Sequence, residues 1–468
     1  MTKIAVVGGG VAGLSAARRL AELLPAARIV LFEGSDRLGG KLRRVQVAGA
    51  WSDVGAEAML ARRPEALELA RAVGLSDELV HPLTSAALLR NRGANKAMPP
   101  RTLMGIPADA EALRGTGLLT DESMARIAAE PAGGPYPPLD ADVTVGDLVA
   151  QRYGDEVVDR LVDPLLGGVY AGRAREISLQ AAIPALAQRL TGEAGSLGAA
   201  ALATMSAAGR VDPAQPVFAS VSDGLARLAE QVAAAATFEI RTGETVRAVE
   251  RRAGGFALRI GPRPTEREVL ADAVVVATPA GKAAGLLREV ASVAAADLAA
   301  IRTASMAIVT LAFERSAGES LPAGSGILIP EVEGLASKAM TFSSQKWPGV
   351  GEDAGVLLLR ASLGRAGDEL TLQRSDEELV AVVRRELESI TGLQAEPVDH
   401  HVQRWGGALP QYGLGHVQRV ARVRAALATT PGLAVCGASY DGVGIPACIA
   451  SAHSAAAHVV AGLNAGAQ

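Results

Sequence analysis

A short apolar strand followed at once by three closely spaced glycines constrains the fold of this chain more than any other feature. Lys3–Val7 has the composition of a buried strand, and Gly8, Gly10 and Gly13 follow with the spacing G-x-G-x-x-G. In a dinucleotide-binding unit the first glycine forms the turn, the second lets the backbone approach a pyrophosphate and the third lets the helix pack on the strand. The free N–H groups of the predicted helix, residues 14–24, would face the phosphates. We therefore expect the chain to bind an adenine dinucleotide.

The next segment indicates which dinucleotide is bound. A second predicted strand, Arg28–Phe32, ends at Glu33, whose carboxylate is placed to accept the ribose hydroxyls. Asp36–Lys41 then resembles the R-x-G-G element that follows the fingerprint in two-dinucleotide-domain flavoproteins such as amine oxidases, phytoene desaturases and protoporphyrinogen oxidases. NAD-dependent dehydrogenases lack this element. The resemblance implies FAD, and a surface turn with two glycines is the plain alternative.

Length and composition favour a multidomain enzyme. The chain has 468 residues, more than one hydrophobic core usually supports, and its net charge of −4 gives no reason to expect nucleic acid as a partner. Two cysteines exclude a disulfide framework, and the six histidines form no recognisable metal set. The first strand begins at Lys3, which leaves no room for a signal peptide, and no apolar window of about 18 residues is apparent, so no membrane span is expected. We therefore expect a cytoplasmic protein without a metal.

The order of strand and helix signals predicts discontinuous domains. After the N-terminal strands, helical periodicity runs from Thr144 to Ala207, and apolar strands return over Ala273–Pro279 and from Leu433. The expected fold is α/β: a Rossmann-type two-dinucleotide-domain flavoprotein resembling amine oxidases, with a mixed-sheet substrate domain and an inserted helical lobe. The expected FAD-binding domain comprises residues 1–80, 208–283 and 402–468, the substrate domain residues 81–100 and 284–401, and the helical domain residues 101–207.

Further segments resemble the protoporphyrinogen and coproporphyrinogen oxidase family. Gly437–Ile449 resembles the segment with which that family closes over the flavin. The other matching segments are Asp163–Gly172 with Glu176–Leu179 after it, Ser222–Leu225 and Pro410–His416. The resemblance covers essentially the whole chain in the right order. General amine oxidases share the first and last elements but lack the G-V-Y-A-G and P-Q-Y-x-x-G-H segments.

The resemblance implies a set of site residues. Those implied to bind the cofactor are Gly8, Gly9, Gly10, Val11, Ala12, Gly13, Glu33, Gly34, Arg37, Gly40, Lys41, Gly55, Ala56, Glu57, Ala58, Val246, Trp405, Val443, Gly444 and Ile445. Lys41 would supply a cation for the pyrophosphate, Val246 a backbone clamp on the adenine, and Val443–Ile445 the N–H groups that face the flavin. The catalytic pair, Gly168 and Val169, would place its backbone under the reacting carbon. The residues implied to contact the substrate are Ile327, Leu328 and Ala361.

The same resemblance implies an activity. It is the FAD-dependent oxidation of coproporphyrinogen III to coproporphyrin III in heme biosynthesis, with molecular oxygen as acceptor and hydrogen peroxide as by-product. A porphyrinogen loses six hydrogens, so one flavin would complete three two-electron cycles. A transient contact with a ferrochelatase is a further expectation. The alternatives are protoporphyrinogen IX oxidation, another FAD amine oxidase-type reaction and a non-catalytic flavin-fold binder.

The preference for coproporphyrinogen rests on size and charge. Aligned on Met98–Pro99, the arginine with which protoporphyrinogen oxidases hold a propionate falls near Ala87, and Ser325 and Ala361 stand where large apolar residues clamp the ring. Leu79–Ala108 contains no acid. The cations in this stretch and beside the small-residue strand are Arg90, Arg92, Lys96, Arg101, Arg360 and Arg365. A roomy, basic cavity would suit a substrate with four carboxylates better than one with two. Solvated surface cations are the plain alternative.

Overall fold

The computed structural model describes residues 1–133, 139–191, 195–207 and 216–466. The expected domain boundary at residue 208 and the expected end at residue 468 lie outside these ranges. The strands are β1 (Lys3–Val7), β2 (Arg28–Phe32), β3 (Arg44–Val47), β4 (Ala50–Asp53), β5 (Met59–Leu60), β6 (Leu79–Val80), β7 (Ala87–Asn91), β8 (Ala94–Ala97), β9 (Thr102–Leu103), β10 (Ile106–Pro107), β11 (Phe218–Val221), β12 (Glu239–Arg241), β13 (Val246–Arg252), β14 (Gly255–Ile260), β15 (Arg267–Ala271), β16 (Ala273–Val276), β17 (Thr303–Glu314), β18 (Gly326–Leu328), β19 (Ser337–Thr341), β20 (Val356–Leu363), β21 (Asp399–Pro410) and β22 (Leu433–Val435).

The helices alternate with these strands in the nucleotide-binding unit and gather in one long insertion. They are α1 (Val11–Leu23), α2 (Pro64–Ala72), α3 (Asp121–Ala129), α4 (Val145–Tyr153), α5 (Asp155–Val157), α6 (Asp163–Tyr170), α7 (Leu179–Ala182), α8 (Pro184–Leu190), α9 (Leu197–Ala207), α10 (Ala226–Ala234), α11 (Ala280–Leu287), α12 (Ser292–Ala299), α13 (Ser343–Lys346), α14 (Asp376–Thr391), α15 (His416–Ala428) and α16 (Ile445–Gly466). α1 begins at Val11, three residues before the predicted start at residue 14, so Gly13 lies inside the helix.

Five parallel strands from distant parts of the chain form the nucleotide-binding sheet. Its order is β12-β2-β1-β16-β22, so β1 lies at the centre. β16 is buried along its whole length, as an unbroken apolar sequence predicts for an interior parallel strand. Helices α1, α10 and α16 cover one face, and α11, α12 and α15 cover the other. This doubly wound arrangement confirms the expected α/β fold and brings the carboxyl ends of the strands to one edge.

A second, seven-stranded sheet has the order β21-β17-β20-β19-β18-β7-β8. Its pairs are antiparallel except for the parallel pair of β18 and β7. Alternate residues of β17 and β20 pack against α14 and form the apolar core on one face. The opposite face meets the hairpin of β3 and β4 and the segment that follows β4. This is the expected mixed sheet.

The inserted helices form a lobe with its own core. Helices α3, α4 and α6–α9 bury a continuous apolar cluster that includes Tyr153, Leu161 and Tyr170. A π-helical turn, Val158–Val162, leads directly into α6. Leu328 at the end of β18 packs against this lobe, and α6 contacts β18 and β19 in the interior of the second sheet. The lobe therefore covers part of one face of the second sheet.

Two of the expected domain boundaries fall inside secondary-structure elements. The boundary at residues 283 and 284 divides α11, whose apolar side packs on the nucleotide sheet together with α12. The boundary at residues 401 and 402 divides β21, which pairs with β17 along its length. Helices α11 and α12 therefore belong with the nucleotide unit, and the whole of β21 belongs with the second sheet. Periodicity identifies such elements, but it does not show which sheet they join.

One helix contradicts the expectation that no stretch is long and apolar enough to span a membrane. Within α16, Ile445–Ala465 meets that test by length and composition among the described residues. However, 56% of the qualifying window is buried inside the protein, where α16 packs against α1, α2 and β22. Alternating small residues let it fit between these elements. We therefore assign α16 to the core of the nucleotide-binding unit.

Substitution of Gly13 tests the packing of α1 on β1. A Cβ at Gly13 would lie 1.8 Å from the carbonyl oxygen of Gly8, so Gly13→Ala must push the helix from the strand. We expect a loss of about 3 kcal/mol in the free energy of unfolding of the FAD-free protein, measured by urea denaturation. The matched control is Gly10→Ala, because a Cβ there would meet its nearest atom, the Cα of Gly40, at 3.9 Å. Equal stability of the two variants would contradict this assignment.

Candidate cofactor and active site

A cavity of about 1630 Å³ extends from the carboxyl edge of the nucleotide sheet to α6. This volume exceeds the roughly 300–1,000 Å³ of a typical small-molecule site, so the cavity has room for a dinucleotide and a second molecule. The site residues from the sequence that line it are Gly8, Gly10, Val11, Ala12, Glu33, Gly34, Arg37, Gly40, Lys41, Gly55, Ala56, Ala58, Gly168, Val169, Val246, Trp405, Val443, Gly444 and Ile445. Those that do not line it are Gly9, Gly13, Glu57, Ile327, Leu328 and Ala361.

The glycine turn leaves an open cradle at the start of α1. Gly10 is the N-cap of α1, and no side chain caps the free N–H groups that follow it. Its Cβ position has no atom nearer than 3.9 Å and faces the cavity. The positive end of a helix with free N–H groups fits an anion such as a pyrophosphate. Gly9 and Gly13 act differently, because their Cβ positions collide with Leu38 and with the Gly8 carbonyl.

Glu33 holds the turn as well as facing the cavity. One of its carboxylate oxygens accepts the N–H of Gly9 at 2.7 Å, and the other accepts the N–H and hydroxyl of Ser35, each at 2.8 Å. Carboxylates accept several bonds at once, so lone pairs remain for a ribose hydroxyl. The position after β2 thus fits the ribose of a dinucleotide. Its bond to the glycine turn was not predicted from the sequence.

Lys41 is the buried cation on the cavity wall. Burial lowers the pKa of its ammonium group, and the nearby Cys448 opposes this shift. No ion pair of Lys41 occurs within the described part of the chain. An ammonium removed from water and turned toward a cavity favours an anionic ligand. Arg37, by contrast, donates to the carbonyls of Leu38 and Gly40 at 3.3 and 2.9 Å, so it supports the turn that follows it.

Trp405 fixes the next part of the wall. Its indole N–H donates to the carbonyl of Val54 at 2.7 Å, and its ring lies 3.3 Å from the Cβ position of Gly55. A Cβ at Gly55 would also lie 1.9 Å from the Lys41 carbonyl oxygen. Gly55 is therefore required for close packing between two cavity-lining segments. Trp405 supports that packing from the middle of β21.

Glu57 was expected to bind the cofactor, but its carboxylate points to the second sheet. It forms ion pairs with Lys346 and Arg360, and Arg360 also donates to the Gly55 carbonyl at 2.9 Å. Burial alone would raise the pKa of Glu57, but the two cations lower it to about 2. The side chain of Glu57 is therefore a structural link, and only its neighbours Gly55, Ala56 and Ala58 line the cavity.

Asp53 is a buried carboxyl beside this link that sequence reasoning missed. It accepts the N–H of Leu225 at 2.7 Å and the N–H of Ala226 at 3.2 Å, so it caps the start of α10. Burial raises the pKa of Asp53 to about 6, although both backbone bonds and the charge of Arg360 oppose the shift. The S-D-G-L segment at residues 222–225 supplies the turn that presents these N–H groups. Asp53 is the last residue of β4, and the turn lies about 170 residues later in the chain, so only the fold brings these two signals together.

The structure corrects two of the three expected substrate contacts. Ile327 and Ala361 are 1% and 2% exposed, and both pack in the core against α14. Side chains alternate along a strand, so the neighbours of Ala361, Arg360 and Ser362, point to the opposite face. Leu328 lies on that opposite face, and its Cδ2 is 3.8 Å from the Cβ position of Gly168. Thus Leu328 lies near the cavity, whereas the other two residues do not.

The five arginines expected to bind propionates have other partners. Arg92 forms an ion pair with Glu156, and Arg101 pairs with Asp109 at 2.9 Å. The remaining expected arginines donate as follows: Arg90 to Asn95 at 2.8 Å, Arg360 to Glu57, and Arg365 to the Ile329 carbonyl at 3.0 Å. The stretch that lacks acids in the sequence meets acids from distant segments in the fold. The argument from a basic cavity is therefore wrong for these arginines. Ser325, expected as a small wall residue, donates its hydroxyl to the Ala86 carbonyl at 3.2 Å.

Gly168 and Val169 lie on the wall opposite the nucleotide edge. Both are in α6 and both line the cavity, with Val169 40% exposed. Gly168 has no positive φ, so its backbone does not require glycine. The cavity reaches from here to Val443–Ile445, where the N–H groups that begin α16 are free. A flat molecule placed between these two walls would touch α6 on one side and the cofactor on the other.

Several lining residues had no prediction from the sequence, among them Met306, Gly406, Gly407, Ala408 and Leu409. Four others, Gly437, Ala438, Ser439 and Cys448, lie in the segment that the resemblance implies closes over the flavin. The glycine pair after Trp405 is a signal that could have marked part of this set. Within the described ranges, no group of three or more His, Cys, Asp or Glu side chains could hold a metal ion. The cavity therefore offers backbone N–H groups, the Lys41 ammonium, apolar walls and charged side chains from residues 247–289, which include Arg247, Arg263 and Lys282.

Comparison with known proteins identifies the class to which this site belongs. The chain belongs to the flavin containing amine oxidoreductase family, which matches residues 11–460. It is a flavin-dependent oxidoreductase, and FAD is its cofactor; the open glycine cradle, Glu33 and the buried Lys41 fit that group.

More similar relatives narrow the comparison. The chain is 40% identical over 463 residues to the coproporphyrinogen III oxidase of Mycobacterium bovis, covering 98% of each chain. It is 30% identical over 498 residues to the protoporphyrinogen oxidase of Macaca fascicularis, again covering 98% of each chain. A solved structure from Exiguobacterium sp. 255-15 is similar with a TM-score of 0.86 and 31% identity, and the match covers 99% of each chain.

Substitution of Glu57 tests the link between the two sheets. The carboxylate has a pKa of about 2 instead of 4.5, so its contribution to stability is present above pH 4.5 and is lost as the pH falls toward 2. Glu57→Gln leaves Lys346 and Arg360 without a counter-charge, and we expect a loss of about 3 kcal/mol at pH 7. Urea denaturation of the FAD-free proteins should show this difference shrinking between pH 5 and pH 3. Asp53 is present in both proteins, so its opposite pH dependence differs between them only through the charge of Glu57, which is the smallest cause of the raised pKa of Asp53.

The exposed Glu319 provides the control for this measurement. Glu319→Gln removes a surface carboxylate, so its effect should stay within about 0.5 kcal/mol. A stability difference for Glu57→Gln that does not change with pH would contradict the ion-pair assignment.

Proposed function

We propose that this chain oxidises coproporphyrinogen III to coproporphyrin III in heme biosynthesis, with molecular oxygen as the acceptor and hydrogen peroxide as the by-product. The observation that carries the proposal is the 40% identity over essentially the whole chain to a coproporphyrinogen III oxidase. The cavity supports it, because its volume exceeds what a dinucleotide site alone needs. When bound, FAD supplies a two-electron acceptor that oxygen can reoxidise.

The residues of the chain bind and orient the reactants in this proposal. The glycine cradle and Lys41 would hold the pyrophosphate, and Glu33 would hold the ribose. The N–H groups at Val443–Ile445 lie at the positive end of α16, where they would favour negative charge on a bound flavin. Gly168 and Val169 would form a smooth backbone wall on which the macrocycle lies flat. Each two-electron cycle removes one hydride from a substrate carbon and one proton from the macrocycle, and the proton would pass to solvent because Gly168 and Val169 carry no acid or base.

Protoporphyrinogen IX is the second candidate substrate. The identity of 30% to a protoporphyrinogen oxidase favours it as the alternative over other amine oxidase reactions. The two substrates share the reacting macrocycle and differ in two side chains, so the cavity around those side chains decides between them. A cytoplasmic location and a transient contact with a ferrochelatase belong to the same proposal.

A direct comparison of the two porphyrinogens tests the proposal. We expect kcat/KM for coproporphyrinogen III to be at least about tenfold higher than for protoporphyrinogen IX. Porphyrin fluorescence measures the product, and a peroxidase-coupled assay measures hydrogen peroxide in the same samples. Equal or faster turnover of protoporphyrinogen IX would favour the second candidate. FAD-loaded protein that oxidises neither substrate would contradict both.

Enlarging Gly168 tests the wall on which the macrocycle would lie. Gly168→Leu places a side chain in the cavity, and a displacement of about 1 Å can lower a reaction rate on the order of a hundredfold. We expect kcat to fall by that order while the dissociation constant for FAD stays unchanged. Gly168→Ala is the control, since its Cβ has room and the residue lies inside a helix, where alanine is as stable or more stable than glycine. A Gly168→Leu protein with unchanged kcat would remove α6 from the substrate site.

A further inference from the structure

Two consecutive side chains after β21 reach opposite walls of the cavity. Gln411 and Tyr412 directly follow Pro410, and they are 5% and 1% exposed. Gln411 reaches toward α6, which carries Gly168. Tyr412 reaches toward the segment that precedes α16. The two walls that would enclose the substrate and the flavin are therefore joined through one dipeptide.

Gln411 fixes the carboxyl end of α6. Its side-chain amide N–H groups donate to the carbonyl of Tyr170, the last residue of α6, at 2.7 Å and to the Leu409 carbonyl at 3.1 Å. Its backbone N–H donates to the Arg302 carbonyl at 2.9 Å. Gly172 packs so closely that a Cβ there would lie 2.2 Å from Gln411 Oε1. The position of α6 relative to β21 is thus set by short, buried contacts.

Tyr412 closes the loop that leads into α16. Its hydroxyl donates to the Ala438 carbonyl at 2.6 Å and accepts the N–H of Gly442 at 2.9 Å, so one oxygen joins both ends of the loop. Ala438 and the residues just after Gly442 line the cavity. Burial raises the pKa of Tyr412, so the hydroxyl keeps the proton that it donates. The backbone carbonyl of Tyr412 also accepts the N–H of Ser178 from the helical lobe at 2.7 Å.

The ring of Tyr412 is held from both sides. It stacks on the ring of His416 with centroids 3.9 Å apart, and it meets the ring of Tyr170 at 5.5 Å with a tilt of 52°. Burial lowers the pKa of His416 to about 4, so the imidazole is neutral near pH 7 and stacks without a charge. Tyr170 is also the residue whose carbonyl Gln411 binds. The α6 end, the dipeptide and the loop before α16 therefore pack as one cluster.

We propose that Gln411 and Tyr412 are positioning residues that set the spacing between the substrate wall and the flavin wall of the cavity. Hydride transfer depends steeply on the distance between the reacting atoms, so a fixed spacing raises the rate without any contact to the substrate. The Tyr412 part is tested first by FAD affinity, which needs no porphyrinogen. The Gln411 part rests on the proposed function, because its main readout needs a porphyrinogen.

The Tyr412 part is tested with Tyr412→Phe in the full-length protein. The variant keeps the stacked ring but leaves the Ala438 carbonyl and the Gly442 N–H without their shared partner. We expect the dissociation constant for FAD, measured by titrating the FAD-free protein, to rise about tenfold. Tyr440→Phe is the matched control, because the Tyr440 hydroxyl is buried in the same loop and has no hydrogen-bond partner within the described part of the chain. Its FAD affinity should stay within about twofold of the wild type.

The Gln411 part is tested with Gln411→Met, which keeps the length of the side chain and removes its donors. We expect unchanged FAD affinity and about a tenfold slower reduction of the flavin by porphyrinogen without oxygen, with little change in KM. The double variant combines Gln411→Met with Tyr412→Phe. Its fold loss in flavin reduction rate should be smaller than the product of the fold losses of the two single variants, because both changes loosen the same spacing between the walls.

Three results would overturn this inference. They are equal FAD affinities of Tyr412→Phe and Tyr440→Phe, a normal flavin reduction rate in Gln411→Met, and a double variant whose loss equals the product of the single losses. If wild-type protein oxidises no porphyrinogen, the proposed function fails, while the FAD titrations still decide the role of Tyr412. If Tyr412→Phe does not fold, the reduction rate of Gln411→Met decides whether the dipeptide sets the spacing.

Discussion

The cavity depends on one buried carboxylate that holds two sheets together. Glu57 belongs to the segment that lines the cavity, whereas its partners Lys346 and Arg360 come from α13 and β20 of the second sheet. Removing one partner from a buried ion pair leaves a charge without compensation, so this contact resists any shift of one sheet relative to the other. Arg360 adds a bond to the Gly55 carbonyl, which fixes the cavity-lining backbone itself. The cavity-lining segment that contains Gly55 and Glu57 is therefore anchored to the second sheet.

Ion pairs of this kind explain why few of the expected arginines face the cavity. A guanidinium has five donors in a fixed plane, which makes it suited to joining a carboxylate and a carbonyl from different segments. Arg360 and Arg92 act in this way, and both are paired with glutamates. Lys41 differs, because it is buried on the cavity wall without an acidic partner in the part of the chain that is described. The partners of a cation in the structure therefore show whether it is structural or available to bind a ligand, and the sequence alone does not.

The nucleotide half of the molecule could be predicted from the sequence because its signals are local. The strand, the glycine turn and the helix are adjacent in the chain, and β16 is apolar throughout. The substrate half could not be predicted to the same depth. Ile327 and Ala361 were placed on the wrong face, because a shift of one residue along a strand moves a side chain to the other side of the sheet. The partners of Arg92 and Arg360 lie 64 and 303 residues away, and no local pattern connects them.

The size argument for a large substrate rests on the volume of the cavity and not on the residues first expected to contact the substrate. The register pairs Leu328 with Ala339 and Ala339 with Ser362 across three neighbouring strands. These residues share the face opposite the core that contains Ala361, because side chains directly paired across strands point to the same side. Two of the three are small, and the third lies against Gly168, but none of them lines the cavity. The cavity volume of about 1630 Å³, rather than a cluster of the expected arginines, is therefore the property that leaves room for a bulky molecule beside the cofactor.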